Sequence, residues 1–68
     1  MNVMSTGGRR RFGNWWYRLE RYFERKGDAQ AWAKRYRETG DYYVRVALVM
    51  VRHLRGGVQY YGVFVRGR

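Results

Sequence analysis

The sequence predicts an α+β fold in which two N-terminal helices precede a long antiparallel β-hairpin, in the order α-α-β-β. Apolar residues recur at helical spacing as far as Gly40 and alternate at strand spacing after Asp41. The first residues are rich in glycine and arginine, which predicts a flexible basic arm over residues 1–11. Residues 12–68 then form a single small domain, because 68 residues leave no room for a second one.

The first predicted helix runs from Trp15 to Lys26, with Asn14 as its N-cap. Its apolar side chains fall on one stripe that is expected to face the core: Trp15, Trp16, Leu19, Tyr22 and Phe23. The charged residues separate by sign, with arginines on one flank and glutamates on the other: Arg18, Arg21 and Arg25; Glu20 and Glu24. The arginine flank therefore becomes a candidate binding surface, although a solvated helix face would show the same pattern.

The second predicted helix covers residues 29–39. Gly27 is expected to end the first helix, and Asp28 to cap the second. The apolar face of the second helix consists of Ala29, Trp32, Ala33 and Tyr36. Gly40 suits the left-handed position that follows a helix C-terminus. The two helices would form a helical hairpin or corner.

The predicted strands cover Tyr42 to Leu54 and Val58 to Arg66, joined by a turn at Arg55-Gly56-Gly57. A two-residue glycine loop would place Leu48 opposite Val65, whereas a three-residue loop would shift that register. One hairpin face would carry Val44, Val46, Leu48, Met50, Leu54, Tyr61, Val63 and Val65. The other would carry Tyr43, Arg45, Val49, Val51, His53, Tyr60 and Phe64. Gly62 predicts a bulge or a close approach to a helix.

A two-stranded ribbon is marginally stable in water, so both of its faces need cover. The helices can cover one face. A split third strand, an N-terminal strand or a second protomer is expected on the other, and of these the sequence favours a homodimer.

The residue content excludes several functional classes. Without cysteine there is no disulfide and no thiolate ligand for zinc, and His53 is the single histidine. Neither His53 nor the Glu20–Glu24 pair has the partners of an acid–base or metal site, so we expect no catalytic residues, no metal and no cofactor. The longest apolar run, Val46 to Val51, is too short to cross a bilayer. We expect a cytoplasmic, non-enzymatic protein without a membrane partner.

The net charge of +10 indicates a polyanionic partner. The leading hypothesis is nucleic-acid binding, to DNA or RNA, mainly through contacts with the phosphate backbone. The candidate contact residues are Arg9, Arg10, Arg11, Tyr17, Arg18, Arg21, Arg25, Arg35, Arg37, Arg45, Arg52 and Arg55. The rings expected to be exposed are those of Tyr17, Tyr43 and Tyr60, although core packing is the commoner fate of any single ring. The alternative is a small inhibitor or adaptor, of the type encoded by mobile elements, that docks on an acidic or nucleic-acid-binding protein surface.

Overall fold

A computed structural model describes residues 8–53 and 56–68, and it places them in the order β-β-α-β-β. The elements are β1 (Arg9–Phe12), β2 (Trp15–Phe23), α1 (Lys26–Thr39), β3 (Tyr42–His53) and β4 (Gly56–Gly67). The predicted α-α-β-β order is therefore wrong at its N-terminal half. The region assigned to the first helix is a strand, and a second strand precedes it.

The N-terminal strands form a β-hairpin that turns at Gly13 and Asn14. Phe12 pairs with Trp15, so the loop between the strands consists of Gly13 and Asn14 alone. Gly13 has a φ of 61°, which a glycine adopts without strain at the first position of a tight hairpin turn. Asn14 is thus a turn residue and not the N-cap of a helix. Residues 9–11, expected in the flexible arm, belong to β1, and the rest of that arm, residues 1–7, lies outside the described residues.

An irregularity in β2 explains why this segment resembles a helix in sequence. β2 pairs with β4, and the register shifts between Leu19 and Arg21, as a β-bulge does. The extra residue brings Leu19 and Tyr22, three positions apart, onto the same side of the sheet, because their partners are Phe64 and Gly62. A three-residue apolar spacing is typical of a helix. The strand itself is favoured by its aromatic content, since Trp, Tyr and Phe suit a pleated surface.

The chain has one helix where two were predicted over residues 15–39. α1 begins at Lys26, so Gly27 and Asp28 lie in its first turn and do not separate two helices. Its predicted C-terminal end is confirmed: Gly40 is left-handed, with a φ of 78°, and its N–H donates to the Arg37 carbonyl at 3.1 Å.

The C-terminal hairpin of β3 and β4 is confirmed, with a different register. Leu48 lies opposite Tyr61 and not Val65, a displacement of four residues. Because that displacement is even, the residues of β3 and β4 that were predicted to share a face still do so. Of the predicted turn, Gly56 and Gly57 belong to β4, where they pair with His53 and Arg52. The predicted turn residue Arg55 and the predicted strand end Leu54 lie outside the described residues.

The four strands form one antiparallel sheet in the order β1-β2-β4-β3. Helix α1 covers one face of it, over β3, β4 and the end of β2. The buried residues of this layer are Ala29, Ala33, Val44, Val63 and Val65. Small alanines on the helix let it lie close to the valines of the sheet. None of the described elements forms a second layer on the opposite face, and the sheet curls around that face.

Gly62 marks a close approach, although not to the helix as predicted. It is buried in the middle of β4 on the face away from α1. A Cβ added there would lie 2.5 Å from Cγ2 of Val49 and 2.9 Å from Cδ1 of Leu19. The two neighbouring strands therefore fill the space that a side chain at position 62 would need.

Candidate nucleic-acid interface

The face of the sheet opposite α1, here called the concave face, combines aromatic rings with arginines. Strand pairing places these residues on it: Arg10, Phe12, Trp15, Tyr17, Leu19, Tyr22, Tyr43, Arg45, Ala47, Val49, Tyr60, Gly62, Phe64 and Arg66. Its floor is a cluster in which the Phe12 ring lies 5.1 Å from that of Tyr17 and 5.4 Å from that of Phe64. These edge-on contacts bury Tyr17 and Phe64 without help from the helix.

The curl of the sheet brings its two edge strands toward each other above this floor. Arg45 is on β3 and Phe12 is on β1, with two strands between them. Even so, the Arg45 guanidinium lies 5.9 Å from the Phe12 ring centroid. The concave face is therefore a trough crossed by at least one basic side chain.

Aromatic rings hold each of the arginines on this face. Arg10 lies 5.1 Å above the Phe64 ring, on the opposite side of the trough from Arg45. At the C-terminal end of β4, Arg68 lies 4.6 Å from the Tyr43 ring. A guanidinium over a ring is partly ordered by that contact while its N–H groups still point outward. Ring contacts thus restrict the positions of the positive charges in the trough.

Arg66 sits between two rings at one end of the trough. Its guanidinium carbon lies 4.1 Å from the centroid of Trp15 and 4.4 Å from that of Tyr43. Trp15 is nevertheless 57% exposed and Tyr43 is 41% exposed. The Nε of Arg66 is buried and has no hydrogen-bond partner among the described residues. The arginine and the two rings make a stacked group whose outer ring surfaces face solvent.

The acidic residues lie away from the trough. Glu20, in the bulge of β2, binds Arg18 at 2.5 Å and faces the helix, where it raises the pKa of Tyr36 above its ordinary value of 10.0 by hydrogen bonding and by its charge. The other four acids belong to α1 or to the segments next to it: Glu24, Asp28, Glu38 and Asp41. No strand position that points into the trough, among the described residues, carries a carboxylate. The described part of the trough therefore carries only positive charges, whereas the outer side of the strands carries both signs.

The predicted arginine set does not form one surface. Arg10 and Arg45 lie in the trough. Arg9, Arg11 and Arg18 alternate with the trough residues and so lie on the outer side of β1 and β2. There the Arg9 guanidinium is 5.3 Å from the ring of Trp16, and Nε of Arg11 donates to the Gly13 carbonyl at 3.1 Å.

The remaining predicted arginines lie on the helix side or outside the description. Arg21 and Arg35 approach the Trp32 ring, at 4.8 and 5.6 Å, and Arg37 donates to the Val44 carbonyl at 3.4 Å. Arg25 precedes the helix, Arg52 lies in β3 opposite Gly57, and Arg55 is not among the described residues. The predicted helical flank of Arg18, Arg21 and Arg25 does not exist, because no helix forms over β2.

The predictions for aromatic exposure were partly wrong. Tyr17, expected to be available to a partner, is only 6% exposed. Tyr43 is exposed as predicted, and Tyr60 is half-buried against Tyr22, with ring centroids 4.9 Å apart. Trp15 and Trp16, assigned to the core, are both more than half exposed, on opposite sides of β2.

Sequence reasoning missed Arg66, Arg68, Trp15 and Tyr22 as candidate contact residues. Arg66 could have been found from the hairpin, because alternation along β4 puts it on the face of Tyr60 and Phe64 in the predicted register as well as in the observed one. Trp15 and Tyr22 could not be placed on this face while β2 was read as a helix.

Other kinds of site find less support in residues 8–53 and 56–68. There, no three His, Asp or Glu side chains come close enough together to hold a metal ion. In the same residues, no helix has the length and apolar character needed to cross a membrane. The concave face is thus the strongest candidate site. Comparison of the chain with protein-family models, with curated proteins and with solved structures gives no match.

Proposed function

We propose that the protein is a small, non-enzymatic nucleic-acid-binding protein whose main contact surface is the concave face. The observation that carries the proposal is that one face of the sheet carries arginines without carboxylates among the described residues. Arg10, Arg45 and Arg66 point into a trough that has no carboxylate among the described residues. A polyanion entering the trough meets positive charge only.

The arginines of the trough suit phosphate chemically. The guanidinium is planar, always charged, and donates two parallel N–H bonds to phosphate oxygens. Ring contacts already restrict Arg10, Arg45 and Arg66, so less conformational entropy is lost when a phosphate binds.

The outer side of the N-terminal hairpin supports the same function more weakly. Arg9, Arg11 and Arg18 lie there, and Arg18 is already bound to Glu20. These residues extend the positive field around the trough and so speed encounter with a polyanion. Their contribution to affinity is expected to be smaller, and to depend strongly on salt.

The first test of this function is salt dependence. About six phosphate contacts would make the logarithm of affinity fall with the logarithm of salt concentration at a slope of about −5. Fluorescence polarisation with labelled DNA and RNA oligonucleotides measures that slope. Absence of binding to both polymers at low salt would refute the proposal.

A charge-matched pair of variants tests the surface. The triple variant Arg10→Gln, Arg45→Gln, Arg66→Gln removes three charges from the trough. The control Arg25→Gln, Lys26→Gln, Lys34→Gln removes three from the helix side. We expect the trough variant to lose much more affinity, and circular dichroism checks that both fold. Equal losses would mean that binding depends on total charge and not on the trough. If the trough variant does not fold, the same three changes to lysine keep the charge and remove the planar fork.

A second candidate function is docking on an acidic protein surface. It is favoured by exposed apolar side chains toward the distal end of the β3–β4 hairpin. Leu48 lies in the last row that β2 reaches, and Met50 and Val58 lie beyond it. Apolar side chains are common at the centre of protein interfaces and contribute little to phosphate binding. A protein partner that stays bound after nuclease treatment at moderate salt, and is lost in Leu48→Ser, would favour this function over the first.

A further inference from the structure

We infer that the concave face binds single-stranded nucleic acid and stacks unpaired bases on its exposed rings. The inference rests on the proposed function and adds the class of polymer to it. Trp15 and Tyr43 form the platform at one end of the trough, and Tyr22 forms the platform further along.

The first argument is the exposure of these rings. Tyr22 is 40% exposed, close to the value for Tyr43, although both share a face with the fully packed Phe64. A chain of 68 residues has little apolar surface to spare, so rings left outside the core are available to a partner. Unpaired bases present flat faces that stack on such rings, and each stacked base contributes about 1–3 kcal/mol by alanine substitution.

The second argument is shape. Proteins that read a duplex insert a helix or a two-stranded ribbon into its major groove, which is about 12 Å wide. A trough cannot enter a groove, and here its opening is crossed by Arg45, which reaches the Phe12 ring on the far edge strand. The bases inside a duplex are stacked on one another and cannot reach Trp15 or Tyr22. A flexible single strand can lie along the trough and turn its bases toward the rings.

The third argument is the order of charges and rings along the sheet. Tyr22 of β2 pairs with Gly62 of β4, and Gly62 pairs in turn with Ala47 of β3. Ala47 is four residues along β3 from Tyr43. At about 3.3 Å per residue, the two platforms are about 13 Å apart along the strand direction, and two strand spacings of about 4.8 Å also separate them across the sheet. Arg45 lies midway between Tyr43 and Ala47 on the same face. Ring, cation and ring thus follow one another along the path that a strand of bases and phosphates would take.

Trp15 and Trp16 provide a matched test. They are neighbours in β2 with almost equal exposure, but Trp15 faces the trough and Trp16 faces the outer side near Arg9. The probes are a labelled oligothymidine and a labelled hairpin duplex of the same nucleotide count, measured by polarisation at one salt concentration. We expect the single strand to bind at least about tenfold more tightly. We expect Trp15→Ala to weaken single-strand binding by about 5- to 100-fold, and Trp16→Ala to leave it unchanged.

Intrinsic fluorescence gives an independent measurement. Stacking of a base on Trp15 should quench its emission in a Trp16→Phe variant, and the same quenching should be absent in Trp15→Phe. If Trp15→Ala does not fold, Tyr22→Leu replaces it, with loss of single-strand affinity as the expected result.

The outcomes separate the two proposals. Failure to bind either probe at low salt, together with failure to bind the RNA oligonucleotides of the salt test, overturns both. Equal or tighter binding of the duplex, or equal effects of Trp15→Ala and Trp16→Ala, overturns the single-strand inference and leaves the nucleic-acid function standing. In that case the distal β3–β4 ribbon becomes the candidate for entry into a duplex groove.

Discussion

Gly62 shows how much a single missing side chain contributes to the curled sheet. Its Cα is surrounded by Val49, Leu19 and Phe64, so a methyl group would come within 2.5–3.1 Å of all three. Val49 and Leu19 belong to the strands on either side of β4, and their methyl groups occupy the space beside the Gly62 Cα. A side chain at position 62 would therefore have to displace side chains of both neighbouring strands on the concave face.

We expect Gly62→Ala to lower the free energy of unfolding by about 1–3 kcal/mol, the usual cost of overpacking. The control is Gly67→Ala, because nothing lies within 4 Å of a Cβ built at that end of β4. Urea unfolding followed by circular dichroism gives both values. If the two variants are equally stable, the contacts around Gly62 are not as close as described.

Tyr36 gives a prediction about pH. Glu20 raises the pKa of its phenol in the folded chain above the ordinary value of 10.0, so the folded state holds this proton more tightly than the unfolded state does. The stabilisation is complete below pH 10 and is lost as the pH rises through the folded-state pKa. We expect the free energy of unfolding to fall more steeply above pH 10 in the natural sequence than in Tyr36→Phe.

Glu20→Gln is the control for that measurement. It removes the carboxylate that holds the proton, so adding Tyr36→Phe to it should change the pH slope very little. Urea unfolding on both sides of pH 10 supplies the four slopes. If Tyr36→Phe changes the pH slope equally in the Glu20→Gln background, the raised pKa of Tyr36 comes from burial of the ring and not from Glu20.

At the scale of elements, the contact between α1 and the sheet depends on two alanines. Ala29 and Ala33 are fully buried against Val44, Val63 and Val65. Their small side chains set the distance between the helix axis and the sheet. A larger side chain there would have to displace the helix or adopt a strained rotamer.

We expect Ala33→Leu to destabilise the fold by about 1–3 kcal/mol through overpacking. Ala31→Leu, on the exposed side of the same helix, should have little effect because alanine and leucine have similar helix propensities. Thermal unfolding of the two variants distinguishes them. Equal melting temperatures would mean that the helix can move away from the sheet at no cost.

The elements also show what the sequence could and could not predict. The β3–β4 hairpin and the end of α1 at Gly40 followed from alternation and from glycine chemistry, both of which are local. The first strand pair did not, although Phe12-Gly13-Asn14-Trp15 carries a Gly-Asn hairpin turn. Asn14 suits an N-cap equally well, and the bulge gave β2 the apolar spacing of a helix.

The candidate site was harder to predict because it depends on pairing across the sheet. The arginine-rich character of a partner surface followed from composition. Which arginines share a face depended on strand parity, which separates Arg10 from Arg9 and Arg11. Arg66 of β4 and Trp15 of β2 meet in the fold although they lie 51 positions apart in the chain. No local pattern contains that contact.

At the scale of the whole molecule, the net charge of +10 opposes compaction. One ion pair, Arg18 with Glu20, is present in the described part of the chain to offset it. The positive side chains repel one another, and this repulsion is stronger in the folded state, where they are close together. At 0.1 M salt the Debye length is roughly 10 Å, so salt weakens the repulsion and should stabilise the folded state.

We expect the melting temperature to rise as sodium chloride increases from low to physiological concentration. A stabilisation of 1 kcal/mol would raise it by about 4–8 °C in a domain of this size. A neutral osmolyte at equal osmolality is the control for effects unrelated to charge. A melting temperature that falls with salt would show that attractive pairs outweigh the repulsion.

The strand order has a consequence for how the molecule is made. β4 follows β2 and β3 in the chain, yet it lies between them in the sheet. During synthesis on a ribosome, β2 and β3 emerge before β4, the strand that lies between them. Neither can pair with β4 until residues 56–67 have been synthesised. The core valines Val63 and Val65 also arrive with that strand. Folding during translation is therefore expected to wait for β4, and a nascent chain stalled before it should be sensitive to protease along its whole length.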